Sequence, residues 1–165
     1  MKVFGVTGLK NAGKTGLVER LVTAISVRGY SVSTIKRTHH NVDLDVEGTD
    51  SFRHRAAGAL EVMLASDARY IIQKEYEVGK SPDLSELLER LAPVDLVLVE
   101  GFKSAAHPKI ECYRHETGNR QLYPDNKTIV AIATDTPLGS LLPEFDLDDT
   151  EAIADFILTS VNLSA

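Results

Sequence analysis

The sequence predicts an α/β fold of three layers, with a mostly parallel sheet and an inserted antiparallel hairpin. Short apolar runs alternate with stretches of helical periodicity, which is the pattern of strands crossing over through helices. A glycine-rich turn joins the first apolar run to the first helix. Midway along the chain, two apolar runs flank a Ser66-Asp67 turn and read as a hairpin.

Val3, Phe4 and Val6 open a short strand that ends at Thr7. Leu17, Val18, Leu21, Val22 and Ile25 then recur on one helical face, and Arg28-Gly29 marks the stop. Ser31 to Lys36 is a second strand. The polar stretch from Arg37 to Asp50 lacks periodicity and reads as a long loop, followed by a short helix from Ser51 to Ala57 closed by Gly58. Leu60 to Leu64 and Arg69 to Gln73 form the hairpin. Pro82-Asp83 starts a helix with Leu84, Leu87, Leu88 and Leu91 on one face. Leu96 to Val99, Ile110 to Tyr113 and Ile129 to Ala133 are further strands, the first apolar enough to be buried on both sides. A last helix spans Asp149 to Thr159. The acidic run Glu144, Asp146, Asp148, Asp149, Glu151 reads as a solvated segment whose carboxylates favour that helix N-terminus.

At 165 residues, the chain is read as a single domain over 1–165. A net charge of −6 argues against a dedicated nucleic-acid binder. Cys112 is the only cysteine, so no internal disulfide forms. Glycines interrupt the N-terminal apolar stretch early, and no apolar run reaches membrane-spanning length. The expectation is a cytoplasmic protein without a membrane partner.

Gly8-Leu9-Lys10-Asn11-Ala12-Gly13-Lys14-Thr15 matches the phosphate-loop pattern G-x-x-x-x-G-K-S/T without a gap. Glycines let successive backbone N–H groups converge on phosphate oxygens. Lys14 brings a mobile charge to the β- and γ-phosphates, and the Thr15 hydroxyl is a magnesium ligand. The following helix points its positive end at the same anion. Strand, loop and helix in this order predict a P-loop NTPase-type fold and a nucleoside triphosphate bound with Mg2+. Gly8, Lys10, Asn11, Ala12, Gly13, Lys14, Thr15 and Gly16 are the predicted nucleotide contacts. For Lys10 two readings stand, a phosphate contact or a solvent-facing charge.

Glu100 ends an apolar strand, and ligands bind beyond such strand ends. It is therefore the second magnesium candidate beside Thr15, against a reading as a plain surface acid. Asp95, at the far end of the same strand, is structural.

The ordered motifs beyond the loop carry a family resemblance. Ile35-Lys36-Arg37-Thr38-His39-His40 follows the second strand. Asp45, Gly48, Asp50-Ser51, Arg53, Arg55 and Ala57-Gly58-Ala59 come next, then Leu98-Val99-Glu100-Gly101-Phe102-Lys103, Pro108-Lys109-Ile110-Glu111 and Arg114. In these, the chain resembles the molybdopterin-guanine dinucleotide biosynthesis protein B family, small GTP-binding adapters of molybdenum cofactor maturation. Gly16 stands where the family often has a hydroxyl residue. The resemblance implies GTP as the nucleotide, a homodimer, weak hydrolysis, and work beside the guanylyltransferase that joins GMP to molybdopterin.

Lys36, Arg37, His39 and His40 put cationic or proton-sharing groups at a strand end. They either meet phosphates, including that of a pterin cofactor, or form a solvated loop. A zinc site at the adjacent histidines lacks paired ligand spacing. Asp45 and Asp50 are candidates for aiding magnesium or positioning a water, Asp50 alternatively for capping the short helix. Arg53 and Arg55 are anion-binding candidates. The guanine-reading element N-K-x-D is incomplete, because Ile129 follows Asn126-Lys127-Thr128, and Asp135 at another strand end is the candidate base reader. Hydrolysis would run through Lys14 and magnesium stabilising charge on the γ-phosphate, with no arginine finger evident. A small-molecule kinase using Asp45 or Asp50 as base, and a delivery module without turnover, are the alternatives. Paired strand edges near Lys109 to Tyr113 are one route to a dimer.

Overall fold

Alternating apolar residues build the sheet. In β1 (Lys2–Thr7), Phe4 and Val6 are fully buried on one face. Leu96 and Leu98 of β5 (Leu96–Glu100) and Ile110 and Cys112 of β6 (Lys109–Tyr113) lie on that same face by register. Against them pack Leu17, Leu21 and Ile25 of α1 (Lys14–Val27) and Ile153 and Ile157 of α4 (Thr150–Ser160). Two helical apolar stripes thus cover one pleated surface, the largest source of stabilising burial here. Val97, Val99 and Ile132, which point the other way, are equally buried.

This computed structural model describes residues 1–38, 42, 45–77 and 79–163. The remaining elements are β2 (Val32–Lys36), α2 (Asp50–Ala56), β3 (Glu61–Ala65), β4 (Tyr70–Lys74), α3 (Leu84–Arg90), β7 (Ile129–Thr134) and β8 (Glu144–Asp146). The six-stranded sheet runs β2-β5-β1-β6-β7-β8, and every pairing in it is parallel. The expected hairpin forms a separate two-stranded antiparallel sheet, with Met63 opposite Ile72. The chain divides into two compact units: Met1–Arg37 with Leu87–Ala165, and Thr38–Glu86. Among the described residues, no helix is long and apolar enough to cross a membrane.

Three expectations need correction. The acidic run is not wholly solvated loop: Glu144 begins β8. Its carboxylate accepts the N–H groups of Leu138 (2.9 Å) and Ser140 (2.6 Å), closing a turn that returns the chain to pair with β7. Asp149, at the end of that run, does cap α4 by accepting the Ala152 N–H at 3.1 Å. Strand β6 lies between β1 and β7, so Lys109 to Tyr113 offer no free edge to a second subunit. Asp50 is the first residue of α2 and not its cap, a position held by Thr49.

Candidate functional site

At the carboxyl end of β1 the chain turns sharply. A Cβ on Gly8 would stand 2.4 Å from the Cys112 carbonyl oxygen, so only glycine permits this approach to β6. Asn11 (φ 64) and Gly13 (φ 91) both take left-handed conformations that curl the loop back onto α1. Gly13 precedes the helix and has no capping side chain, which leaves the first-turn N–H groups available to an outside acceptor. A cavity of 430 Å³ opens there, lined by Asn11, Gly13, Lys14, Thr15, Gly16, Arg114 and Glu116. Lys14 Nζ donates to the Leu9 carbonyl at 2.7 Å. Burial lowers the Lys14 pKa from its ordinary value, and the Glu100 carboxylate opposes that shift.

Thr15 and Glu100 come together as the sequence suggests. Thr15 Oγ1 donates to the Glu100 carboxylate, with both oxygens at 3.4 Å. Lys36 Nζ lies 3.1 Å from Thr15 Oγ1 and 3.2 Å from Glu100 Oε2. A hydroxyl and a carboxylate form a hard oxygen pair, and neighbouring ligands of an octahedral magnesium stand roughly 3 Å apart. The donor set and its spacing fit magnesium, and the pair already attracts a cation. Register explains the arrangement, since Lys36 is the partner of Glu100 across β2 and β5.

The sequence names Arg114 only as one residue of the family motifs and gives it no place at the phosphate loop. The residue follows β6 directly, and a Cβ on Gly13 would come within 3.3 Å of Arg114 Nε, so the guanidinium lies flush against the loop. Glu116 is 3.7 Å from Arg114, and Asn119 Nδ2 donates to the Lys10 carbonyl at 2.8 Å. The segment is anchored below by Glu111, whose buried carboxylate accepts the Leu122 and Tyr123 N–H groups, each at 2.8 Å. Burial raises the Glu111 pKa, and those two N–H groups oppose the rise. The usable signal was the position of Arg114 one residue past a strand end. What the sequence lacked was the knowledge that β6 neighbours β1.

The other predicted residues fall in several places. Lys10 is exposed, Ala12 is buried in the core, and Gly16 has room for a side chain. Asp135 lies at the end of β7, where Thr134, Asp135, Thr136, Pro137, Glu144, Phe145 and Asp146 line a separate cavity of 180 Å³. It accepts the His115 N–H at 3.0 Å, which ties it to the segment carrying Arg114 and Glu116. In the other unit, Arg55 Nε donates to Asp45 at 2.9 Å and Ser51 Oγ donates to its other oxygen at 2.8 Å. That enclosed ion pair ties Asp45 to α2, which leaves Asp50 as the other candidate base of the kinase alternative. Asp50 and Arg53 are exposed, 3.9 Å apart on one helix face. His39 and His40 lie outside the described residues.

The family described as molybdopterin guanine dinucleotide synthesis protein B (MobB) matches residues 3–135. A molybdopterin-guanine dinucleotide biosynthesis adapter protein from Haemophilus influenzae is 40% identical over 156 residues, covering 94% of this chain and 86% of the relative. A protein of the same description from Escherichia coli is 37% identical over 150 residues, covering 88% and 85%. The crystal structure of Bacillus subtilis MobB superposes with a TM-score of 0.75 at 26% identity, covering 98% of each chain. A Bacillus stearothermophilus MobB homolog gives 0.72 at 26% identity, covering 99% of this chain and 100% of the other. By sequence and by fold, the chain belongs to the MobB family.

Proposed function

We propose that this chain is a GTP-binding adapter in the conversion of molybdopterin to molybdopterin guanine dinucleotide, with slow magnesium-dependent hydrolysis. The observation that carries the reading is the curled loop from Gly8 to Thr15, with Lys14 poised above it and the Thr15–Glu100 oxygen pair beside it. Loop N–H groups and the start of α1 would hold the β-phosphate, and Lys14 would leave the Leu9 carbonyl for the β- and γ-phosphates. Thr15 and Glu100 would hold magnesium, which when bound neutralises charge on the phosphate tail. Arg114 extends the cationic wall of the cavity toward the nucleoside end.

Asp135 is the proposed guanine reader, supported by its place at a strand end and its bond to the Arg114 segment. Asp50, Arg53 and His39 keep their proposed place as groups of the loop-and-helix region that follows β2. A homodimer through the hairpin is supported by Met63, Leu64, Tyr70, Ile71 and Ile72, which expose apolar surface on its two strands. The guanylyltransferase is the proposed partner, and the cytoplasm the proposed location.

The test is equilibrium binding of GTP, ATP and GDP with and without magnesium, for the native chain and Lys14→Ala. The reading expects GTP to bind tighter than ATP and Lys14→Ala to bind both about 100-fold more weakly. Equal affinities would remove the guanine assignment, and native-level binding by Lys14→Ala would remove the site. Adding molybdopterin and the guanylyltransferase then tests the pathway, with faster dinucleotide formation expected.

A further inference from the structure

The backbone of Lys36 is fixed beside Glu100 by register, and the Arg37 N–H donates to the Glu100 carbonyl at 2.9 Å. Only the side chain is free to move, and more than half of it is exposed. Its ammonium rests 3.1 Å from Thr15 Oγ1 and 3.2 Å from Glu100 Oε2. These are the two oxygen groups whose spacing fits magnesium. The Glu100 side chain is only 12% exposed, so its charge is costly without a cation next to it.

We propose that Lys36 is a displaceable occupant of the magnesium site. In the nucleotide-free chain its ammonium stands on the metal's ligands, and entry of the metal with a triphosphate requires it to leave. The inference rests on the nucleotide-binding reading above and adds a residue that sets how much magnesium the site demands. Two cations cannot share the pair at this distance, because like charges about 3 Å apart repel strongly wherever solvent is partly excluded. The long flexible stem lets the ammonium swing to the terminal phosphate, so the charge that blocks the empty site becomes a ligand contact in the loaded one. A triphosphate therefore trades one partner of Lys36 for another, whereas a diphosphate offers it less.

Lys36→Met keeps the stem and removes the charge at a largely exposed position. Binding of Mn2+ alone to the nucleotide-free protein is followed through loss of the free-ion electron paramagnetic resonance signal. Lys36→Met is expected to bind Mn2+ about tenfold more tightly than the native chain. Adding Glu100→Gln to it should abolish that gain. A fluorescent GTP analogue should then reach half-saturation at lower magnesium in Lys36→Met. Without metal, that variant should bind the analogue several-fold more weakly than the native chain does. Unchanged or weaker Mn2+ binding in Lys36→Met overturns the proposal, as does a gain that survives Glu100→Gln. Failure of the native chain to bind any nucleotide would count against the nucleotide reading alone, since the Mn2+ comparison needs none.

Discussion

Lys14 and Lys109 are both lysines drawn out of water beside β1, and they differ in what their ammonium groups touch. Lys109 is fully buried opposite Gly5, and its Nζ donates to the Ala105 carbonyl, the His107 carbonyl (2.7 Å) and Thr128 Oγ1 (2.9 Å). All three of its hydrogens are used. Lys14 is half-buried in an open cavity, with one bond, to Leu9 of its own loop. Burial depresses the pKa of both, that of Lys109 to about 8. Depressed basicity alone does not separate them. The satisfied cation holds the fold, and the one with spare donors facing a cavity is placed to meet a ligand.

The largest effect expected from this contrast falls on stability. Lys109→Ala leaves two carbonyls and a hydroxyl facing an empty space, and should cost about 4 kcal/mol in urea unfolding. Lys14→Ala should cost less than about 1 kcal/mol by the same measurement, because it loses one bond within a loop. Its effect belongs to binding: triphosphate affinity should fall by about 100-fold, roughly 3 kcal/mol, in titration with GTP. A large stability loss at Lys14, or none at Lys109, would break the distinction.

A pH series sharpens it. Both ring nitrogens of His107 are buried and have no partner among the described residues, and burial together with the Lys109 charge pushes its pKa down to about 4. The unfolded chain, with an ordinary histidine near 6.5, binds more protons between those values. Stability should therefore fall as pH drops from 6.5 toward 4, by about 2 kcal/mol for a half-buried ring. His107→Gln should flatten that limb. Lys109 gives a rise of the same origin on the alkaline side, from about 8 to its ordinary 10.5, where the unfolded chain again holds more protons. Both limbs report on the fold and neither on ligand affinity.

The same contrast explains what could be read in advance. The phosphate loop was legible because its determinants are local: glycines at fixed spacing, a lysine, a hydroxyl, an apolar strand before and an amphipathic helix after. Glu100 was legible because a single acid ends an apolar run. The strand Glu144–Asp146 was not, since three residues carrying two acids are too few to establish a period, and its turn depends on the Glu144 carboxylate reaching back to Leu138 and Ser140. Asp45 looked like a free acid because its partner Arg55 lies ten residues on. Lys109 read as one residue of a family motif. Only the packing of residues 105, 107 and 128 around it reveals a buried cation.

Arg114 tests whether strand-end cations count with Lys14 or with Lys109. Its guanidinium rests against Gly13, and its ion pair with Glu116, at 3.7 Å, is long and partly exposed. A pair of that kind contributes about 1 kcal/mol or less to stability. Arg114→Ala should therefore unfold close to the native midpoint. If the cavity holds the nucleoside end of GTP, the same variant should lose about tenfold in GTP affinity, near 1.4 kcal/mol. Inorganic tripolyphosphate, which lacks a nucleoside, should bind the variant and the native chain with more similar affinity. A loss that is equal for both ligands would move Arg114 to the phosphate tail beside Lys14. A stability loss without any binding defect would place it with Lys109 as a structural cation.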